Sequence, residues 1–279
     1  MPWQRRSGEV AAMLRDITLG QYYPVDSPVH RLDPRAKILL AFLYIIAVFL
    51  VRSLWLYLPV AAYLVYATWL SKLPFKMMLR SLKPMRILLA ITFILNLFFG
   101  TGTDKLLQIG SVVIWKEGLL NALVFTFRLI FLVTGSSILT LTTSPVTLTD
   151  GLERLASPLK IIKFPAHEMA MMMTIALRFI PTLIEEADKI MKAQTARGAD
   201  FETGNLLARS RAMIPLLVPL FISAFRRAGD LAMAMEARCY RGGEGRTRLH
   251  KLQFRRRDLL AFLSMLLLYL LILLPGWLR

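Results

Sequence analysis

The stretch GLLNALVFTFRLIFLVTGSSILTLT, Gly118–Thr142, runs for 25 residues with a single charge, Arg128. A bilayer's hydrocarbon core is about 30 Å thick and a helix rises about 1.5 Å per residue, so about 20 consecutive apolar residues cross it. This stretch is long enough. Ser53–Ser71 holds 19 uncharged residues and Ile87–Thr103 holds 17. Leu259–Leu278 holds 20 and closes on Pro275-Gly276-Trp277, an aromatic stop suited to a membrane interface. Ile38–Val51 is shorter, 14 uncharged residues between Lys37 and Arg52, whose long side chains can snorkel past the apolar edge. The expectation is an all-α integral membrane protein with about five transmembrane helices.

Composition agrees. The 279 residues are 56% hydrophobic with a mean hydropathy of +0.54, above the roughly 45–50% apolar content of soluble domains. Disorder is excluded by that content, and a disulfide scaffold by the single Cys239. The net charge of +17 would suit a nucleic-acid binder, but its distribution gives another reason. With the N-terminus inside, the inner segments 1–37, 72–86 and 144–258 carry six, five and nineteen Lys or Arg, 30 of the 35 in the chain. That is the positive-inside pattern, and no nucleic acid is needed to explain it. Five crossings then place the C-terminus outside. Residues 1–35 are polar, with no apolar core of the kind a signal peptide has.

The chain divides into three parts: 1–143 with an N-terminal cytoplasmic segment and transmembrane helices 1–4, the cytoplasmic stretch 144–258, and the last crossing in 259–279. The middle part is unusual. It holds 19 basic and 12 acidic residues and is still rich in apolar ones, including the uncharged run Ala212–Phe225. Leu177, Ile180, Ile184, Ala187 and Met191 recur at helical steps. Two long crossing helices are expected, from about His167 to Arg197 with Gly198 as the stop, and from about Asn205 to Arg241 with Gly242-Gly243 as the stop. A shorter amphipathic helix precedes them near Thr147–Leu159. Pro181, Pro215 and Pro219 should bend the long pair.

The two helix ends resemble each other. One reads Ala196-Arg197-Gly198 and the other Ala237-Arg238-Cys239, 41 residues apart, each placing an Arg between an Ala and a small residue. A cation is favoured at a helix C-terminus, and a guanidinium offers a planar fork of five donors to a carboxylate. A lone Arg in a last turn is ordinarily a solvated cap; the repetition argues for more.

In these features the chain resembles the transmembrane T component of energy-coupling factor transporters, the EcfT/CbiQ-like family. The resemblance rests on His30-Arg31-Leu32-Asp33-Pro34-Arg35-Ala36-Lys37, on Leu148-Thr149-Asp150-Gly151-Leu152-Glu153 with Pro158-Leu159, on Ala176-Leu177-Arg178-Phe179-Ile180-Pro181-Thr182-Leu183, and on the two Ala-Arg-small tips. It covers nearly the whole chain. The second tip departs from the strict Ala-Arg-Gly form through Cys239, which is still small. The resemblance implies a non-catalytic coupling scaffold in a prokaryotic cell membrane. Its partners would be the bilayer, a small membrane-embedded S component, and two ABC-type ATPases that receive the tips and hydrolyse ATP. The cargo would be a vitamin or a transition-metal ion.

The residues independently disfavour self-sufficiency. Gly242-Gly243-Glu244-Gly245-Arg246-Thr247 lacks the spacing and the Lys of a phosphate-cradling loop. No metal site is expected, because His30, His167 and His250 are dispersed and Cys239 stands alone. The alternative function is an integral membrane enzyme such as a lipid-headgroup transferase. Asp150 lacks the further spaced aspartates this would use, and Glu185, Glu186 and Asp188 read as a solvated face pairing locally with Lys189 and Lys192. A self-sufficient carrier would show internal repeats or broken spans, and none is visible. Arg128 is costly in mid-span and must face protein or water. It is read either as a polar site facing the S component or, preferably, as an Arg capping carbonyls near Asn96 or Asn121. The cluster Met169, Met171, Met172 and Met173 suits an adaptable surface or a core equally, and the basic Ser71–Arg86 loop suits lipid headgroups.

Overall fold

The computed structural model describes residues 22–100, 105–109, 112–162, 164–199, 201, 206–242 and 252–277. Among them the chain is helical apart from one hairpin. Helices α1 (Pro34–Leu50), α2 (Tyr57–Ser71), α3 (Phe75–Leu82) and α4 (Arg86–Phe99) precede it, and α5 (Lys116–Thr142), α6 (Pro145–Ala156), α7 (Ala166–Ala196), α8 (Leu206–Ala237) and α9 (Arg256–Trp277) follow. The hairpin pairs β1 (Lys105–Ile109) antiparallel with β2 (Val112–Trp115). It is the one β feature that the all-α reading left out.

Among the described residues, four stretches are long and apolar enough to cross a membrane: Leu54–Ser71, Phe75–Phe99, Lys116–Thr142 and Arg256–Leu274. The second begins before the expected Ile87, because the 3-10 turn Lys83–Met85 carries α3 into α4. The fifth expected crossing lies in α1, whose 17 residues span about 25 Å. Lys37 does not snorkel outward. It is 7% exposed and turns inward, donating to the carbonyls of His30 at 3.1 Å and Thr142 at 2.9 Å.

The described chain forms two compact units, one from α7 and α8 with the Ser157–Ile162 turn, the other from α1–α6, the hairpin and α9. The core of the second unit gathers Tyr44, Val48 and Val51 of the first crossing, Tyr57, Val60 and Leu64 of α2, and Met265, Leu268 and Ile272 of α9. Three tyrosine hydroxyls tie backbones across helices: Tyr44 donates to Phe131, Tyr57 to Val124 and Tyr269 to Leu43, at 2.8–3.1 Å. A buried hydroxyl without such an acceptor would be costly. The Tyr44 ring lies so close to α5 that a Cβ on Gly135 would stand 2.0 Å from its Cε1.

The ends of this unit's helices are joined by Asp258. Its carboxylate, 2% exposed, accepts from the Asp33 amide at 2.9 Å and the Arg255 amide at 2.7 Å, fixing the start of α9 to the start of α1. Asp33 in turn caps α1, accepting from the Arg35 amide, with Pro34 at the first helical position. Burial alone would raise the Asp33 pKa, but the hydrogen bonds from the Arg35 side chain and amide outweigh it and hold the carboxyl below its ordinary value.

Candidate coupling helix ends

The helix α7 stops where the sequence suggested, and α8 stops sooner. Ala237 ends it, not Arg241, and Gly242 lies beyond the helix. The reason is Cys239, which adopts a left-handed backbone at φ +55°, a conformation that non-glycine residues seldom take. Gly198 does the same at φ +90°.

The two closures match bond for bond. After α7, the Gly198 amide donates to Thr195 and the Ala199 amide to Gln194, both at 3.0 Å. After α8, the Cys239 amide donates to Glu236 at 2.8 Å and the Tyr240 amide to Met235 at 3.0 Å. This pair of bonds is the Schellman motif. Arg197 and Arg238 therefore occupy the same position, the last residue before the left-handed turn. Ala196, Arg197, Gly198, Ala237, Arg238 and Cys239 are all exposed.

Glu186 of α7 meets Arg227 of α8 across the helix pair, Oε2 to Nη2 at 2.5 Å. A hydrogen bond from Ser223 and the Arg227 charge hold the Glu186 carboxyl below its usual range. The expectation of local pairing along α7 is corrected at Glu186, whose partner lies on the other helix. Each Arg tip stands eleven residues beyond its member of this pair, Arg197 after Glu186 and Arg238 after Arg227. At about 1.5 Å per residue the two arms are each about 16 Å long. Tyr240 Oη lies 3.5 Å from His167 Nε2, so the end of α8 sits beside the first turn of α7. The pair is antiparallel, and the two arginines lie toward opposite ends of it.

The geometry and the family comparison converge here. Residues 26–249 match the family model described as CbiQ, cobalt transport protein. A relative from Clostridium kluyveri, an energy-coupling factor transporter transmembrane protein EcfT, is 52% identical over 92% of this chain and 95% of its own. Its namesakes from Acidaminococcus fermentans and Bacillus subtilis are 51% and 44% identical, over 95% and 92% of this chain and 98% and 97% of theirs. The chain belongs to the EcfT family. It is a transporter membrane component and not an enzyme, so the headgroup-transferase alternative falls.

Arg128, the remaining candidate of this EcfT chain, lies on α5 in the membrane unit. Its Nη2 donates to the Val51 carbonyl at 2.8 Å, and its guanidinium carbon stands 5.2 Å and 5.8 Å from the ring centres of Phe125 and Phe49. The carbonyl it caps is at the end of α1 and not near Asn96 or Asn121. Its Nε is buried without a partner among the described residues. His250 lies outside those residues, and His30 belongs to the turn before α1. The Glu186–Arg227 bridge was missed in sequence, although its own 41-residue spacing, equal to that of the tips, was there to be read.

Proposed function

We propose that this chain is the coupling scaffold of an energy-coupling factor importer, with Arg197 and Arg238 each docking on one of two cytoplasmic ABC-type ATPases. The observation that carries the reading is the equivalence of the tips. Two arginines hold the same capping position, at equal distance from one crossing point and toward opposite ends of an antiparallel pair. Two like sites displaced about a centre suit two like partners related by a two-fold axis. The exposed guanidiniums supply forked donors for acidic grooves. ATP would be hydrolysed by those partners.

A small membrane S component is the third partner in this reading. Ile214, Leu217, Val218, Phe221 and Phe225 recur at three- and four-residue steps on α8 and are all exposed. Contiguous apolar surface of this kind marks an interaction face. The basic loops put the N-terminus in the cytoplasm of a prokaryotic cell and the C-terminus outside. The cargo is a vitamin or a transition-metal ion chosen by the S component.

The test is affinity purification of the tagged chain from its own cells, beside an Arg197→Glu/Arg238→Glu double variant. Wild type should bring down two ATPase copies and a small membrane protein, and the variant should lose the ATPases while keeping the small protein. Identical partners in both preparations would remove the tips from the mechanism.

A further inference from the structure

The membrane unit contains a cavity of about 240 Å³ at the end where α1 and α9 begin and α2 and α5 finish. Its walls are apolar, with Leu40 and Ala41 of α1, Leu64 and Ala67 of α2, Ile138 of α5 and Leu260 of α9 among them. An apolar cavity of about 150 Å³ already accommodates a benzene-sized guest, so this one has room for a good part of an acyl chain. Tyr66 and Leu260 line it and are also well exposed, which opens the space to the surroundings of the helices.

The charges around it have one sign. Lys37 and Arg257 line the cavity, and among the described residues no Asp or Glu does. Lys37 has three donors and spends two on the His30 and Thr142 carbonyls. The carboxylate that acts on it, Asp258, has both oxygens engaged by backbone amides. Among the described residues neither Lys37 nor Arg257 has an ion-pair partner. Of the hydroxyls in the walls, those of Tyr44, Thr142 and Ser264 are committed to the carbonyls of Phe131, Ile138 and Ala261. Close by, Asp26 is paired with Arg31 and lies within the influence of Lys72 and Arg257. A buried cation held only by carbonyls, an exposed one at the mouth and apolar walls between make a receptor for an amphiphile with an anionic head.

We propose that this cavity holds one anionic phospholipid, its phosphate on Lys37 and Arg257 and one acyl chain among the apolar side chains. The apolar walls disfavour free phosphate, and the excess of cations favours an anionic headgroup over a zwitterionic one. The site is independent of the coupling role, because it is built wholly within the membrane unit.

The experiment is native mass spectrometry of the full-length chain, purified in detergent with its partners and offered dioleoylphosphatidylglycerol, dioleoylphosphatidylcholine or oleate. One phosphatidylglycerol per chain should survive activation, with phosphatidylcholine held about fivefold more weakly, as about 1 kcal/mol per basic residue at a headgroup implies. Arg257→Gln, at an exposed residue, should weaken phosphatidylglycerol by a similar factor. Ala67→Phe should displace the chain, and Arg154→Gln on α6 should change nothing. Equal retention of both phospholipids, preferential retention of oleate, or an unaltered Arg257→Gln would overturn the proposal.

Discussion

A cysteine in a left-handed turn explains what sequence could and could not show about the tips. Read as letters, Cys239 is a tolerable small substitute for glycine, and Gly242-Gly243 is the expected stop. The backbone makes Cys239 the structural counterpart of Gly198, at φ +55° against +90°. The misplacement arose because a glycine pair is a stronger stop than a cysteine, and side-chain size says nothing about φ. A left-handed non-glycine residue costs about 1–2 kcal/mol, so the second cap carries a strain the first lacks. Cys239→Gly should then raise hydrogen-exchange protection of the residue 239 and Tyr240 amides by about fivefold or more. Gly198→Val should lower protection of the residue 198 and Ala199 amides by at least as much, and loosen the Arg197 contact in a pull-down. Exchange rates unchanged at both caps would mean that the Schellman bonds do not persist in solution. Arg128 was legible in part: the cost of a charge in a span demanded a partner, but only the fold could name the Val51 carbonyl.

The long helices were legible as elements because their apolar periodicity is strong and Gly198 ends the first. Their pairing was not, since no periodicity on one helix states which residue faces it from another. Glu186 illustrates this. Lys189, three residues on, is a plausible helical neighbour, and the bond instead goes to Arg227, 41 residues on. The hairpin between α4 and α5 had a short-range signal, Gly110-Ser111 between two β-forming runs, that the surrounding membrane spans obscured. If the Glu186–Arg227 bridge fixes where the arms cross, the two single reversals, Glu186→Arg and Arg227→Glu, should each reduce ATPase recovery with the chain. The double reversal should restore most of it, because the pair is remade with opposite polarity. Three variants behaving alike, or a double that is the sum of the singles, would show that the bridge does not set the tips. The bridge is solvent-accessible, so its role is better judged by this coupling than by stability.

For the molecule as a whole, the membrane unit closes the starts of α1 and α9 with polar groups, and pH should reveal it. His30 sits in the turn before α1, its Nε2 on the Tyr23 carbonyl at 3.0 Å and its Nδ1 2.7 Å from Ser27 Oγ. The first contact makes Nε2–H the donor, and in the neutral ring Nδ1 then accepts from the Ser27 hydroxyl. Burial depresses the His30 pKa below 6.5, outweighing the Tyr23 hydrogen bond that favours protonation, while Lys37 nearby acts in the same direction as burial. A depressed pKa means that protons bind the unfolded chain more readily, so this part of the stability is whole above about pH 6.5 and declines as pH falls through the folded-state value. Asp33, also depressed, starts from 3.8 and responds only in stronger acid. The unfolding midpoint of the detergent-solubilised protein should therefore be lower at pH 5.5 than at pH 7.5, and His30→Gln should flatten that difference. The same turn borders the cavity through Pro28, Val29 and Lys37, so added phosphatidylglycerol should raise the midpoint at both pH values. A midpoint that rises on acidification, or a slope that His30→Gln leaves intact, would assign the pH response to other groups.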